Sequence, residues 1–264
     1  MCRLLYPKWC LPRNGSDDVR RRKHGIESSL IGTFAILRGG LTLTQAEGLI
    51  RVDKSVIHQD LYRNVLLLAD LLDHELQWPS VQEQVILVAY NDTFTSCIIV
   101  DCMDIGLKKR NVWYRFIYKS WKTNAGYRNL LAVDCKGEIR ACVSIPAGFN
   151  NDQFVMCISD FMEDGALASG HSIMGDGAFT GNSDFPVEKP FSKPQVEKSP
   201  LLKLYNERLR HYRNIVERVN GIVKMQWRIL RQQYPFEPTS FPLVFRVLCM
   251  LTNRYFRVYD KYPQ

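Results

Sequence analysis

Four carboxylate side chains stand in sequence settings that suit metal-assisted chemistry. Asp101 interrupts the most apolar run of the chain, and Asp176 lies between two glycines. Glu217 borders the apolar stripe of a long basic helix, and Asp152 directly precedes another helix. Carboxylates in such sites hold two Mg²⁺ or Mn²⁺ ions about 3.5 to 4 Å apart, which activate water or a 3′-hydroxyl and stabilise the leaving oxygen of a phosphodiester. The four residues therefore predict a two-metal site for phosphodiester chemistry.

Ordinary explanations exist for most of these carboxylates. Asp176 fits a turn aspartate, Asp152 fits a helix N-cap, and Glu217 fits a solvated residue beside a buried face. Asp101 is harder to explain, because an unpaired charge in a buried strand costs several kcal/mol. We therefore expect a positive group to face it. Asp104 cannot share its site, because three positions along a strand reverse the direction of the side chain.

Positive charge is concentrated on the helix that carries Glu217. From Lys203 to Arg231 only Glu207 and Glu217 oppose a series of Lys and Arg residues. The whole chain has a formal net charge of +8 and a pI near 9.1. This charge favours a nucleic-acid partner, with an anionic membrane surface as the runner-up. The helix residues expected to contact DNA phosphates are Arg208, Arg213, Arg218 and Lys224.

Composition argues against secreted and membrane-spanning classes of protein. The eight cysteines include no Cys-x-x-Cys spacing, which indicates free thiols in a reducing compartment and argues against a disulfide frame or a zinc site. The N-terminus has no signal-peptide stretch, and no run of about 18 uncharged apolar residues occurs. We therefore expect a soluble intracellular protein with no membrane partner. Its 264 residues suffice for one large core or two modest ones.

The first third of the chain predicts a basic arm followed by helices. Residues 1–25 form the arm, whose run Arg20–His24 is either a nuclear-import signal or a solvated charge cluster. Residues 26–91 are expected to be helical. The first helix covers Ile26–Leu37 and stops at Gly39-Gly40, and a capping box at Thr44–Glu47 opens the second. A second capping box, Ser80–Glu83, begins a helix that ends near Asn91.

A helix-turn-helix outline is predicted within this region. Asp53 is expected to cap a long helix with an apolar stripe of Ile57, Leu61, Val65, Leu68 and Leu72. Short helix, tight turn and long helix resemble a DNA-reading module, whose exposed face would carry Lys54, His58 and Arg63. Lys54 and Arg63 are the expected DNA contacts. The alternative is a plain helical bundle that supports the next domain.

After Thr95 the sequence pattern changes from helical to strand-like. The predicted order is three strands, a helix, a short strand, an irregular loop at 181–200 and a long helix. This order predicts an α/β fold, an RNase H-like mixed sheet closed by a long helix, over residues 95–235, with a C-terminal helix at 240–258. The elements are Ser96–Ile105, Leu130–Cys135 and Ile139–Ile145 as strands, Gln153–Met162 as a helix, Ser172–Asp176 as a strand, and Leu201–Leu230 and Phe241–Phe256 as helices.

Five segments in this region carry a family resemblance. They are Val100–Ile105, Tyr118–Lys122, Pro146–Asp152, Gly175–Phe179 and Tyr205–Lys224. In this order they resemble segments of the DDE domain of Harbinger transposases and of the Harbinger-derived nucleases of animals and plants: the first-aspartate strand, the Tyr-Ser-x-x-Lys stretch, the Pro-Gly-Ser-x-x-Asp segment, the Gly-Asp-x-x-Tyr/Phe element and the closing helix. The likeness spans roughly residues 26 to 255.

The resemblance implies a divalent-metal-dependent DNA endonuclease or transposase that hydrolyses DNA, with transfer of the freed 3′ end as a further step. Asp101, Asp176 and Glu217 match the catalytic triad, and Asp152 matches a further carboxylate that coordinates metal. Two Mg²⁺ or Mn²⁺ ions are the implied cofactors, and DNA and a Myb-like protein are the implied partners. The expected location is the nucleus, or the cytoplasm until a partner imports the protein. A catalytically inactive DNA-binding protein and a scaffold protein stay open as alternatives, as does the oligomeric state.

Overall fold

The fold is described from a computed structural model, which covers residues 25–91, 93–108, 119, 125–149, 151–159, 167–181 and 186–259. Two sequence predictions fall outside these residues. One is the basic arm at residues 1–25, except Gly25. The other is the Tyr118–Lys122 segment, except Lys119.

In the described part of the chain, four α-helices precede the sheet, close to where the sequence predicted them. Asp53 caps the third helix by accepting from the Ser55 backbone N–H at 2.8 Å. The box predicted at Thr44–Glu47 is wrong, because Thr42 and Gln45 bond each other reciprocally and start the second helix earlier. The helices are α1 (Ile26–Leu37), α2 (Leu43–Ile50), α3 (Lys54–Leu71) and α4 (Val81–Ala89).

A five-stranded mixed sheet forms the centre of the described chain, in the order β3-β2-β1-β4-β5. The first three strands run as an antiparallel meander, and β4 and β5 continue parallel to β1. The β2–β3 turn contains Gly137 at φ 90°, a left-handed conformation that glycine adopts without strain. The strands are β1 (Ser96–Gly106), β2 (Gly126–Asp134), β3 (Ile139–Pro146), β4 (Ser172–Met174) and β5 (Val187–Glu188).

Among the described residues, four further α-helices follow β3, and several differ from their predicted bounds. The helix predicted at Gln153–Met162 is already over at Cys157. The loop predicted as irregular at 181–200 contains β5 and one short helix, because β5 pairs with β4. The long helix ends at Gln226, where Trp227 turns extended and its indole N–H donates to Thr252. The helices are α5 (Asp152–Cys157), α6 (Lys193–Val196), α7 (Pro200–Gln226) and α8 (Phe241–Tyr259).

Each face of the sheet is covered by its own hydrophobic core. Alternate residues of β1, such as Ile99 and Met103, join the core shared with α1, α3, α7 and α8. The residues between them, such as Val100 and Cys102, join the core formed with α4 and α5. Because side chains alternate along a strand, Asp101 lies on the α7 side and Asp104 on the α5 side. The two aspartates thus lie on opposite faces, as the sequence spacing predicted.

The N-terminal helices pack on the first of these cores through the predicted stripe of α3. Ile57, Leu61 and Val65 are buried in it. His58 does not lie on the exposed face as predicted, because its ring contacts the rings of Tyr62 and Phe236. Across the described residues, none of the helices has the length and apolar character that a bilayer crossing requires.

Candidate metal centre and nucleic-acid interface

Asp101 occupies the middle of β1, opposite Leu131 of β2. Its side chain faces the long helix α7, where Asn220 donates from Nδ2 to Asp101 Oδ2 at 2.8 Å. Asn220 is itself buried, and its Oδ1 has no hydrogen-bond partner among the described atoms. One edge of the Asp101 carboxylate is therefore fixed by a helix residue that the sequence analysis did not single out. Asn220 could have been predicted from its position three residues after Glu217, because residues three positions apart share a helix face.

Asp176 follows β4, which lies next to β1 in the sheet. Its Oδ1 accepts from the Ala178 backbone N–H at 2.8 Å, so the residue does form the turn that its glycine neighbours indicated. Gly175 is required here because a Cβ on it would lie 2.8 Å from Cδ2 of the buried Phe179. The close contact with Phe179 therefore shapes the turn that follows β4.

Glu217 and Arg213 lie one turn apart on α7. Arg213 Nη2 is 3.6 Å from Glu217 Oε1, and the Glu217 side chain is 53% exposed while that of Arg213 is 19% exposed. Arg213 Nε is buried without a hydrogen-bond partner in the described part of the chain. Glu217 therefore faces solvent, where a substrate can approach it, while Arg213 extends inward beneath it.

The pKa of Asp101 shows that these side chains act on one another. Burial is the largest cause that raises this pKa, from 3.8 to about 6, and the negative charges of Asp176 and Glu217 raise it further. The backbone N–H of Cys102 and the positive charge of Arg213 lower it in part. The fold thus brings three carboxylates that are distant in sequence within electrostatic reach of one another. Arg213 supplies the positive group that the burial of Asp101 led us to expect.

Asp152 lies on the other side of the sheet. Arg128 Nη1 is 3.2 Å from Asp152 Oδ1, and Arg128 Nε is 3.0 Å from Asp104 Oδ1. The N-cap of α5 is Asn151, which accepts from the Phe154 N–H, so the N-cap reading of Asp152 is wrong. Asp152 and Asp104 share one arginine on the α5 side, and the metal role of Asp152 stays a prediction.

A divalent cation fits the donor chemistry around Asp101. Hard cations prefer carboxylate and carbonyl oxygens, and the buried Asn220 Oδ1 is an oxygen without a partner among the described atoms. The negative charges of Asp176 and Glu217, which raise the pKa of Asp101, would be offset by a cation. Within the described residues, however, no three His, Cys, Asp or Glu side chains stand close enough to hold one ion. Binding at Asp101, Asp176 and Glu217 would therefore require these side chains to move closer together.

The predicted DNA-contacting residues differ in the exposure of their side chains and in their contacts. Lys54, Arg208 and Arg218 are exposed, and Arg208 Nη1 donates to Thr93 Oγ1. Arg63 lies 3.9 Å from the buried Asp60, and Lys224 is partly buried. Together with Arg213 beside Glu217, these residues place positive charge along α7 and on the first half of α3.

The sequence profile of one family, described as DDE superfamily endonuclease, matches residues 100–253. This is more than half of the 264 residues. The matched range includes most of β1, all of β2 to β5, α7 and all four candidate carboxylates. The chain belongs to the DDE superfamily endonucleases. Its five-stranded mixed sheet with flanking helices is consistent with an RNase H-like nuclease fold. No curated protein and no solved structure matched the chain.

Proposed function

We propose that this protein is a Harbinger-type DDE nuclease that cleaves phosphodiester bonds of DNA with the help of divalent metal ions. The observation that carries the proposal is the electrostatic coupling of Asp101, at the centre of an apolar strand, to Asp176 and Glu217. Such electrostatic coupling among neighbouring acids is typical of functional sites. Membership of the endonuclease family supports the same chemistry.

The residues of the site would have distinct roles. Asp101, Asp176 and Glu217 would hold the metal, and Asn220 would keep the Asp101 carboxylate in place through its Nδ2 hydrogen bond. A divalent cation bound there supplies an activated water and stabilises the leaving oxygen. Arg213 would partly neutralise the carboxylates and bring positive charge to the approaching phosphate. Above pH 6 Asp101 would be mostly ionised, because its pKa is raised to about 6.

The DNA would run along α7 and reach the N-terminal helices. Arg208, Arg218 and Lys224 would contact its phosphates on α7, and Lys54 and Arg63 would contact it at α3. Phosphate contacts of this kind position a protein on DNA without reading its sequence. We therefore also propose that a separate Myb-like protein recognises the DNA ends, and that both proteins act in the nucleus. This partnership rests on the Harbinger resemblance and predicts that the two proteins co-purify from nuclear extracts.

A DNA-binding protein without turnover is the second candidate function. Two observations favour it. The Asp176 side chain accepts a hydrogen bond within its own turn. Within the described residues, no three carboxylates stand close enough together to hold one metal ion. Under this alternative the basic surfaces would still bind DNA, and adding metal would produce no cleavage.

A cleavage assay separates the two candidates. Purified protein is incubated with end-labelled DNA and Mn²⁺ or Mg²⁺, and Asp101→Asn, Asp176→Asn and Glu217→Gln are compared with wild type. Glu207→Gln is the matched control, because Glu207 is an exposed acid on the same helix. The nuclease proposal predicts at least about a hundredfold loss of rate in the three variants, as expected when a group that acts on the transition state is removed, and wild-type rate in the control.

The same assay decides the role of Asp152. Loss of cleavage in Asp152→Asn, with an unchanged fold, would add this residue to the metal site as the resemblance implies. Full activity would leave Asp152 as a structural partner of Arg128. If wild-type protein cleaves no DNA with either metal while binding it, the nuclease proposal fails and the second candidate stands.

A further inference from the structure

Three arginines line a surface cavity beyond the C-terminal end of α7. The cavity has a volume of about 470 Å³ and is lined by Arg38, Met225, Gln226, Arg228, Arg231 and Gln232. None of the lining residues is acidic. None of the three guanidinium groups forms an ion pair with a residue that the structure describes. Like charges so placed repel one another, and a bound anion would offset that repulsion.

The backbone on both sides of the cavity is held in place. Arg38 ends α1, and its carbonyl accepts from the Arg228 backbone N–H at 3.3 Å. Gly40 has a φ of 66°, and a Cβ on it would lie 2.9 Å from Gln232 Nε2 and 3.0 Å from Arg228 Cγ. The glycine thus allows the turn after α1 to contact the segment after α7. The arginines are therefore carried by two chain segments that fix one another, rather than by one mobile loop.

The chemistry of the lining suits phosphate. A guanidinium presents a planar set of N–H donors that matches phosphate oxygens in pairs. Gln226 adds an amide whose Oε1 is buried without a hydrogen-bond partner among the described atoms. Since the oxygen and nitrogen of an amide can exchange places by rotation, this side chain can also turn an N–H towards an anion.

The cavity and the carboxylate site lie on the same helix, α7, so their separation along its axis can be calculated. Gln226 lies nine residues after Glu217 on α7, which corresponds to about 14 Å along the helix at a rise of about 1.5 Å per residue. The nine positions also turn the helix by about 900°, so Gln226 and Glu217 point to opposite sides of α7. One strand of B-DNA advances about 3.4 Å per nucleotide, so a strand that reaches both places spans at least about four nucleotides. Lys224 lies on the face of Glu217, seven positions further along α7, and so provides positive charge between the two places.

We propose that this arginine cavity binds a backbone phosphate of the DNA substrate at least about four nucleotides from the bond that is cleaved. The proposal rests on the nuclease function for the distance from the cleaved bond. DNA is favoured over a small phosphate compound because Arg38, Arg228 and Arg231 are all exposed. Exposed arginines suit a continuous polyanion, which gains affinity by releasing counterions at many contacts.

The first test measures binding of a labelled duplex in EDTA, so that no cleavage is required. The double variant Arg38→Gln/Arg231→Gln removes two charges from the cavity and leaves Arg228, whose backbone bonds Arg38. The control Lys136→Gln/Lys189→Gln removes two exposed charges elsewhere. The proposal predicts about a tenfold loss of affinity in the cavity variant and a salt-dependence slope smaller by about 1, because one phosphate contact is lost. Equal losses in both double variants, or an unchanged slope, would overturn it.

The second test locates the phosphate on the DNA. A single uncharged methylphosphonate linkage is moved along the strand, relative to the position that wild-type protein cleaves in Mn²⁺. Binding to wild type should weaken about fourfold or more with the linkage at one position, at least about four nucleotides from the cleavage position, and the cavity variant should not weaken further there. An equal additional loss in the cavity variant would show that the cavity does not hold that phosphate.

Two further outcomes distinguish this proposal from a site for a small phosphate compound and from failure of the nuclease function. If inorganic phosphate raises the melting temperature of wild type but not of the cavity variant, while both bind DNA equally, the cavity holds a small phosphate compound and the proposal is overturned. If wild type cleaves no DNA but the first test gives the expected losses, the nuclease function fails while the cavity stands as a phosphate site for DNA.

Discussion

Replacing Asp101 by asparagine should make the metal-free protein more stable at neutral pH. The rise of its pKa from 3.8 to about 6 means that the folded state disfavours the ionised carboxylate by up to about 3 kcal/mol. Asparagine removes the charge at nearly constant volume, and its amide oxygen can still accept from Asn220. For a protein of this size the gain corresponds to a melting temperature higher by roughly 6 to 10 °C.

The effect should depend on pH in a defined direction. A carboxyl whose pKa is raised on folding destabilises the folded state above the folded pKa and has no such effect below the unfolded pKa. The advantage of Asp101→Asn should therefore be complete above pH 6, decline between about pH 6 and 4, and disappear below that range. Urea unfolding in EDTA at pH 7.5 and pH 4, with wild type measured in parallel, gives this difference directly.

Asp104→Asn is the matched control on the same strand. Asp104 pairs with Arg128 at 3.0 and 3.2 Å, and its side chain is only 3% exposed. Removing its charge should lower stability at pH 7.5 by about 1 to 3 kcal/mol, because a buried guanidinium loses an ionic hydrogen bond. The reasoning predicts opposite signs for the two substitutions. Destabilisation of similar size by both at pH 7.5 would refute it.

Three further outcomes are expected. The logarithm of DNA affinity should fall with the logarithm of salt concentration at a slope near about −5, for about six neutralised phosphates; a slope near zero would remove DNA as a partner. Lys54→Glu should weaken DNA binding severalfold at an unchanged melting temperature, because Lys54 is exposed in the first turn of α3; Lys136→Glu, on the β2–β3 hairpin, is the control, and equal binding by both would favour the supporting-bundle alternative. Asn253→Ala should cost about 3 kcal/mol or more in urea unfolding, because this buried side chain bonds the backbone of Ile139 twice and of Glu75 once; a cost below about 1 kcal/mol would contradict that account.

Local sequence signals predicted most of the sheet and several helix ends. Strands β1 to β4 overlap the predicted apolar runs, although β2 begins at Gly126, four residues before the predicted start. The Asp53 and Ser80 caps are formed as predicted. β5 was missed because its two residues have no pattern of their own and depend on pairing with β4. The end of α7 was missed for a similar reason. The hydrogen bond from Trp227 to Thr252 of α8 holds the chain extended there, and no local signal encodes such a distant contact.

The candidate residues of the site could be named from the sequence, but most of their contacts could not. The unusual charge in β1 drew attention to Asp101, whose role as a metal ligand stays a prediction. The spacing to Asp104 correctly separated the two faces of the sheet. Asn220 was missed because a helix asparagine has no distinctive local role; only the fold turns it towards Asp101. The pairing of Asp152 with Arg128 was also beyond the sequence, because it depends on which face of the sheet α5 covers.

Binding of Mn²⁺ to the purified protein, measured by titration calorimetry without DNA, tests the central claim most directly. The claim is that Asp101, Asp176 and Glu217 form one divalent-metal site. It predicts that wild type and Glu207→Gln bind Mn²⁺ with the same affinity, and that Asp101→Asn and Glu217→Gln each bind it at least about tenfold more weakly, because each removes a carboxylate ligand. Wild-type affinity in both Asp101→Asn and Glu217→Gln, with folding verified, would contradict the claim.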